Sequence, residues 1–335
     1  MPKVSVIIPA YNVQNYIERC LTSVSNQSLE DIEIIVVNDG STDDTLDIIL
    51  KFANFDNRIK VIDSENRGVS AARNRGLFQA TGKYIYQIDA DDWIEQNALE
   101  EMYEVAEKNR ADVVIANAYI DYDNGTLLPF IDGRLINEEP IKDFFLGNIK
   151  ASVWTKLYRR DLFTNYNIGY VEGIRVGEDL LINFFLMLQA KKVIKIEKSF
   201  LHYIQRENSA MHSYKSSMYD IYKVFDEIES FLKRSNLYRK YKDEFLYLKY
   251  MHTYYFRVIS SVNLSSIHRD FYRKWRRERD RYLGNRYILE FLKEQSHVNR
   301  LLNELYTINY FLGLAIGVVK ASVKQLKSLL WGHSV

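Results

Sequence analysis

The sequence of 335 residues has little of the residue types that define several protein classes. It contains one cysteine, Cys20, which excludes a disulfide framework and a cysteine-rich zinc site and fits a reducing compartment. With four prolines and 14 glycines, the chain is neither collagen-like nor of low complexity. The chain enters a strand-like run at Val4 without the charged and apolar regions of a signal peptide, so we expect none.

The overall composition is that of a globular protein, with 47 % hydrophobic and 27 % charged residues, which excludes wholesale disorder. The net charge of +1 hides an asymmetry. Residues 1–120 carry 11 Lys/Arg and 20 Asp/Glu, a balance of −9, whereas residues 121–335 carry 34 and 24, a balance of +10. This division indicates cation binding by residues 1–120 and an anionic partner for residues 121–335. The alternative is an uneven distribution of charge over two solvated surfaces.

Short apolar runs alternate with helical patterns over the first 120 residues. Runs such as 4–8, 34–37 and 84–88 predict buried strands, and the segments between them have helical spacing. The alternation predicts an α/β fold, with a Rossmann-like, mostly parallel sheet and helices on both faces. Further along, the pattern becomes helical almost throughout. We predict a catalytic domain over 1–212 and a helical C-terminal region over 213–335.

Four polar clusters directly follow four successive apolar strands. They are Pro9–Asn12, Asn38–Asp43, Asn66–Gly76 and Asp89–Asp92. Each cluster alone fits an ordinary turn followed by a helix cap. In a parallel sheet, however, the carboxyl ends of the strands share one edge, and ligands bind there. The coincidence of four clusters therefore predicts a ligand site at that edge.

The cluster Asp89-Ala90-Asp91-Asp92 places three carboxylates within four residues. Such carboxylates repel one another unless a cation or strong donors are present. Mg²⁺ and Mn²⁺ prefer oxygen ligands and are often completed by substrate phosphates. The cluster predicts a metal that bridges the protein to a diphosphate. The alternative is that Asp91 or Asp92 caps the following helix.

The order of the four clusters and the residues in them resemble glycosyltransferase family 2, the inverting nucleotide-sugar transferases with the GT-A fold. Further matching segments are Trp154–Tyr158, Gly177–Leu180 and Tyr203–Ser209. The resemblance implies an enzyme that moves a hexose or N-acetylhexosamine from a UDP-sugar to a hydroxyl of a glycan. It also implies a role in capsular, exo- or lipopolysaccharide synthesis, with Mn²⁺ or Mg²⁺ as cofactor.

The resemblance also implies roles for individual residues. Asp39 looks like the acid that binds uracil, and Asp89 like the acid on the ribose or donor sugar. The donor-binding residues implied in this way are Pro9, Tyr11, Asn12, Asp39, Arg73, Asp89 and Arg206. Asp91 looks like a metal ligand, and His212 either completes the metal shell or is incidental. Trp154 and Lys156 look like lining of the acceptor or donor site, although a tryptophan there also fits a core position.

The segment Gly177-Glu178-Asp179 precedes a strongly apolar run and predicts a helix over 178–190. By itself, an acidic pair in the first turn fits a favourable interaction with the helix dipole. In the family such a pair supplies the catalytic base, so the resemblance implies Asp179 as the base, with Glu178 as its backup. A carboxylate base accepts the proton of the acceptor hydroxyl.

Residues 269–281 are rich in arginine and aromatic residues, and residues 310–319 form an apolar run. No recognised nucleic-acid motif accompanies the basic stretch, so we expect no nucleic-acid partner. The apolar run is too short to cross a bilayer, which needs about 20 residues. Residues 269–281 either contact anionic lipid or form a solvated, salt-bridged helix. The C-terminal run either lies in the interface of a membrane or packs against the domain or a second copy of the chain.

We therefore predict a cytoplasmic glycosyltransferase, peripheral at the inner face of a bacterial membrane, with a UDP-sugar donor and a glycan or lipid-linked glycan acceptor. One rival is a transferase that moves a sugar to a polyprenyl phosphate. Another is a nucleotide-sugar-binding module without catalysis, which the presence of Asp89, Asp91 and Asp179 disfavours.

Overall fold

The structure is a computed structural model. It describes residues 1–122, 125–205, 217–261 and 265–331, with side chains as far as residue 322. The chain divides into two compact units, Met1–Val224 and Phe225–Val335. The predicted division between residues 212 and 213 lies outside the described residues, and the functional boundary stays a prediction.

The first unit is built on one mixed sheet. Its described strands are β1 (Val4–Ala10), β2 (Ile32–Asp39), β3 (Ile59–Ser64), β4 (Tyr84–Gln87), β5 (Trp93–Ile94), β6 (Val113–Tyr122), β7 (Leu127–Phe130), β8 (Lys156–Arg159) and β9 (Val193–Gln205). They lie in the order β3-β2-β1-β4-β8-β6-β9-β5, with β7 paired to β6. The four strands from β3 to β4 are all parallel, whereas β8 runs antiparallel to both β4 and β6.

Helices follow the strands of the first unit. They are α1 (Ile17–Ser25), α2 (Thr45–Phe55), α3 (Val69–Gln79), α4 (Ala98–Asn109), α5 (Pro140–Phe145), α6 (Asp161–Tyr166) and α7 (Glu178–Gln189). Helix α3 packs against β1 and β2, and α4 packs against β6 and β9. The predicted α/β fold class is confirmed.

The register of the parallel strands aligns their carboxyl ends. Val6 of β1 lies opposite Ile34 of β2 and Tyr86 of β4, and Ala10 lies opposite Asn38. The loops that follow β1, β2 and β4 therefore leave the sheet at the same edge, as the four polar clusters predict.

Apolar side chains from the central strands and α1 form the core beneath this edge. Val6, Ile8 and Val36 are completely buried, and so is Cys20 on the inner face of α1. Burial raises the pKa of the Cys20 thiol well above its ordinary value, so the thiol stays protonated and inert. Cys20 is thus a core residue, as its position on the apolar stripe of the first helix predicts.

The second unit is helical. Its helices are α8 (Asp220–Arg234), which begins in the first unit, α9 (Tyr238–Tyr250), a π-helix (Met251–Ile259), α10 (Ser266–Glu278), α11 (Arg286–Glu294), α12 (His297–Ile308) and α13 (Tyr310–Trp331). Buried aromatic residues dominate its core, among them Phe225, Phe245 and Tyr254. Within the described part of the chain, no helix combines the length and apolar character that crossing a bilayer requires.

Candidate active site

The first two polar loops are joined through Asn12. Its backbone N–H donates to the Ser41 hydroxyl at 3.1 Å, and its side-chain oxygen accepts from the Thr42 N–H at 2.8 Å. Asn12 has a φ of 51°, in the left-handed region that asparagine tolerates better than most residues. Pro9 lies at the end of β1 and is partly buried, while Tyr11 is 49 % exposed. These residues form one wall at the edge of the sheet.

Asp39, the last residue of β2, connects the second loop to the third. It is almost completely buried, and its carboxylate accepts from the backbone N–H groups of Arg67 at 3.0 Å and Gly68 at 2.7 Å. Arg75 also donates to it at 3.2 Å. Helix α2 begins at Thr45, whose backbone N–H donates to the Asp43 carboxylate at 3.1 Å.

Arg73 joins α3, the end of β4 and the start of α7. Its guanidinium donates to Asp89 at 2.8 Å and to Asp179 at 2.7 Å, and it lies 3.6 Å from Glu178. The side chain is only 4 % exposed and packs 5.3 Å from the ring centre of Tyr170. Charged hydrogen bonds of this kind are the strongest in proteins. Three predicted site residues, Asp89, Glu178 and Asp179, thus meet around a fourth, the buried Arg73.

Helix α7 begins at Glu178, so both acids lie in its first turn. Gly177 precedes it with a φ of 90°, a conformation that glycine adopts without strain. Asn183, one turn further on, donates to the carbonyl groups of Asp179 at 3.0 Å and Ala151 at 2.7 Å. The backbone that carries the acidic pair is therefore held by a fully buried side chain.

Burial raises the pKa of both acids. Burial is the largest cause for Glu178, followed by the charge of Asp179, and together they raise the pKa of Glu178 to about 8. Burial also raises the pKa of Asp179, but the Arg73 guanidinium opposes this effect. Because Arg73 lies closer to Asp179 than to Glu178, the ionised form of the pair carries its charge on Asp179. At neutral pH this favours Glu178 as the protonated partner.

The three acids after β4 have three different surroundings. Asp89 pairs with Arg73, as described above. Asp92 is completely buried and accepts from the Ile204 N–H at 2.9 Å, and burial raises the pKa of its carboxyl group well above the ordinary range. Asp91 is partly exposed, and its carbonyl accepts from Arg19 at 3.2 Å. Asp92 therefore belongs to the core, and neither Asp91 nor Asp92 caps α4, which begins at Ala98 after Asn97.

The surroundings of these acids test whether the loop could hold a divalent metal. In the described residues, no group of three or more His, Cys, Asp and Glu side chains is placed to hold one. With Asp92 in the core, Asp91 and Asp89 are the carboxylates left at the edge of the sheet. One or two carboxylates completed by water and substrate phosphates suit Mg²⁺ and Mn²⁺. The donor set therefore fits a metal bound together with a diphosphate.

Trp154 lies in an aromatic cluster. Its ring stacks on Tyr203 with the centres 5.5 Å apart and contacts Phe130 at 5.0 Å. The Trp154 carbonyl accepts from the Tyr86 hydroxyl at 2.7 Å. The side chain is partly buried, so one part of it packs in the cluster and another remains accessible.

Lys156 is completely buried, and its role as lining of the acceptor or donor site stays a prediction. Its ammonium group pairs with Asp132, which is also buried and accepts from the Ser152 hydroxyl at 3.0 Å. Burial lowers the pKa of Lys156, and the Asp132 carboxylate opposes this effect. Asp132 precedes Gly133, a pair typical of a turn, and nothing in this local pattern indicates the partner 24 residues away.

Two predicted site residues, Arg206 and His212, lie outside the described residues. The described part of the site therefore comprises the donor-side loops, the acids after β4 and the acidic pair at the start of α7.

The mostly parallel sheet with acids at the carboxyl ends of its strands is typical of the GT-A fold. The family described as Glycosyl transferase family 2 matches residues 5–166. The glycosyltransferase EpsH of Bacillus subtilis is 34 % identical over 251 residues, which cover 72 % of this chain and 73 % of EpsH. The chain belongs to glycosyltransferase family 2, which confirms the resemblance of its motifs.

Solved structures share the fold. The crystal structure of S. aureus TarS in complex with UDP-GlcNAc superposes with a TM-score of 0.64 at 24 % identity, covering 96 % of this chain and 92 % of TarS. The mannosyltransferase PcManGT from Pyrobaculum calidifontis, in complex with GDP-Man and Mn²⁺, gives a TM-score of 0.50 at 14 % identity, covering 99 % and 88 %. At these identities the likeness concerns the fold.

Proposed function

We propose that the protein is an inverting, metal-dependent transferase that moves a hexose or N-acetylhexosamine from a UDP-sugar to a glycan hydroxyl. The observation that carries the proposal is the bridge made by Arg73, which brings a donor-side acid, Asp89, and a candidate base, Asp179, to one guanidinium. A donor sugar bound over Asp89 would then lie close to the group that activates the acceptor.

The proposed donor site is the edge formed by the first three loops. Asp39 is the proposed partner of the uracil ring, because its carboxylate has about four acceptor positions and accepts three bonds, from Arg67, Gly68 and Arg75. Pro9, Tyr11 and Asn12 are the proposed walls of the nucleotide pocket. The UDP-GlcNAc complex of TarS, which has the same fold, supports a uridine donor.

The proposed metal ligand is Asp91, with Asp89 beside it and His212 as a further candidate. When bound there, Mn²⁺ or Mg²⁺ would neutralise the charge that builds up on the leaving diphosphate. The Mn²⁺ complex of PcManGT supports a metal in this fold. Arg206 is the proposed phosphate partner, since a guanidinium binds phosphate in a bidentate manner.

The proposed reaction is a single displacement. The acceptor hydroxyl gives its proton to the Asp179 carboxylate as its oxygen forms a bond to the anomeric carbon. The bond between that carbon and the diphosphate oxygen breaks on the opposite face, and UDP leaves with the electron pair. The anomeric centre is inverted, so an α-linked donor yields a β-glycoside. Arg73 keeps Asp179 ionised and oriented before the proton moves.

We propose a growing surface glycan of the capsular, exo- or lipopolysaccharide type, free or lipid-linked, as acceptor. The accessible part of Trp154 offers an aromatic face for a sugar ring. Lys156 would act only indirectly, through the buried pair with Asp132. A cytoplasmic location is part of the proposal and agrees with a lone buried cysteine.

The test is UDP release from a panel of UDP-glucose, UDP-galactose, UDP-GlcNAc and UDP-GalNAc, with Mn²⁺ and then with EDTA. We expect metal-dependent release from one or two donors, and a β-linked product by NMR when the donor is α-linked. Donor binding without release would support the non-catalytic module. Release only with a polyprenyl phosphate acceptor would support the rival transferase, and retention of the α configuration would contradict the mechanism.

A further inference from the structure

Helix α13 buries both of its glycines and exposes several of its large apolar residues. Tyr310, Gly313 and Gly317 are buried, and a Cβ on Gly313 would lie 2.4 Å from the ring of Tyr306 in α12. Only glycine permits this close approach. On another face of the helix, Leu312 and Ile316 are 48 % and 38 % exposed. A helix that packs on a core normally buries its large apolar side chains, whereas α13 exposes several of them.

The exposed large apolar residues of α13 share one side of the helix, and Ile308 ends the helix just before it. The apolar face, as we call it, consists of Ile308, Phe311, Leu312, Ile316 and Val319. Ile308 and Phe311 are 67 % and 65 % exposed, and residues 308–319 contain no charged side chain. Exposed apolar patches of this kind mark sites that bind a protein or a membrane.

Arginine side chains border the apolar face. Helix α10 buries Phe271 and Trp275 and exposes Arg269, Arg273 and Arg277. The Arg269 guanidinium lies 5.9 Å from the ring centre of Phe311, and Arg276 donates to the carbonyl of Thr307, next to Ile308.

The charge of α10 is strongly positive. It contains five Lys/Arg residues and two acids. Asp270 lies 3.7 Å from Arg273, and Glu278 pairs with Lys249. The exposed arginines of α10 form what we call the basic rim, consisting of Arg269, Arg273 and Arg277, of which Arg269 contacts the apolar face at Phe311.

We propose that the apolar face and the basic rim together bind the surface of an anionic lipid bilayer, with α13 lying in the interface. Apolar side chains beside cations are the chemistry of interfacial helices. A symmetric interface between two copies of the chain would instead bring the two basic rims close together, which like charges oppose. The proposal uses no residue of the donor site, so it stands or falls independently of the proposed reaction.

The test is co-sedimentation of the full chain with vesicles of phosphatidylcholine alone or mixed with phosphatidylglycerol, at low and high salt. We expect the protein to pellet with anionic vesicles and to be released by salt. Each arginine near the surface contributes roughly fivefold to partitioning, so Arg269→Gln with Arg273→Gln should weaken it roughly 25-fold. Phe311→Gln with Ile316→Gln should weaken it at least about tenfold.

A matched control removes two exposed aromatic side chains of the first unit. Phe55 and Phe78 are 92 % and 86 % exposed, and Phe55→Gln with Phe78→Gln should leave pelleting unchanged. Equal loss in this control, or equal binding to neutral vesicles, would overturn the proposal. So would a wild-type dimer in sedimentation velocity that dissociates in the Phe311/Ile316 variant without any vesicle binding. Should that variant fail to fold, the arginine variant still decides the question.

Discussion

Replacing Arg73 with methionine would remove the cation that lies between Asp89 and Asp179. The guanidinium is 4 % exposed and within 2.8 Å of both carboxylates, with Glu178 at 3.6 Å. Breaking a buried ion pair by removing one partner costs about 3–5 kcal/mol, because the remaining charge is left in a poorly solvated place. We expect Arg73→Met to lower the free energy of unfolding by about this amount at neutral pH.

The loss of stability in Arg73→Met should depend on pH. Without Arg73, the pKa of Asp179 rises further, because the guanidinium is the group that opposes the effect of burial. An acid whose pKa is raised in the folded state contributes stability at low pH, and that contribution is lost as the pH rises through the folded-state pKa. The difference in stability between wild type and variant should therefore be small at about pH 5 and large at about pH 8.

The assay is urea unfolding followed by tryptophan fluorescence at both pH values. Arg67→Met is the matched control, because Arg67 and its partner Glu172 are 60 % and 44 % exposed. An exposed pair of this kind is worth about 0–1 kcal/mol. Arg73→Lys keeps the charge but not the two-pronged geometry, and should recover part of the loss. An equal loss at both pH values would refute the coupling between Arg73 and the acids.

Three further changes test the rest of the site. Asp179→Asn should lower turnover by roughly 10²–10⁴-fold with little effect on donor affinity, and loss of activity only in Glu178→Gln would reverse the assignment of the base. Asp91→Ala should abolish the Mn²⁺ dependence of UDP binding in calorimetry; wild-type affinity that EDTA leaves unchanged would contradict this. Lys156→Met should cost about 3–5 kcal/mol in urea unfolding, and adding Asp132→Leu should recover most of it, unless the pair is not coupled.

The ends of strands and helices were predictable where local pattern determines them. The apolar runs of β1, β2 and β4 are buried, so their carboxyl ends follow directly from the sequence. The helix expected over 178–190 begins at Glu178 and ends at Gln189. Side-chain spacing carries this information, because burial on one face imposes a periodicity on the chain itself.

The partners of buried polar groups were not predictable in the same way. The local sequence around Lys156 is that of an ordinary strand. Its burial depends on the pair with Asp132, which comes from a long, largely irregular segment. Strands β8 and β9 follow no simple alternation of strand and helix, because each pairs with β6 over a large sequence separation. Local patterns contain no signal for such pairings.

The acidic cluster after β4 is visible in the local sequence, but the partners of its carboxylates depend on the fold. Three adjacent carboxylates require compensation, and the sequence alone suggests a single metal as its source. The fold compensates two of them in other ways. Asp89 pairs with Arg73, and Asp92 is buried against the Ile204 N–H, where burial raises the pKa of its carboxyl group and disfavours its charged form. A metal at this loop would thus meet few protein ligands, so its affinity should depend on the diphosphate. Donor and metal are then expected to bind as one unit.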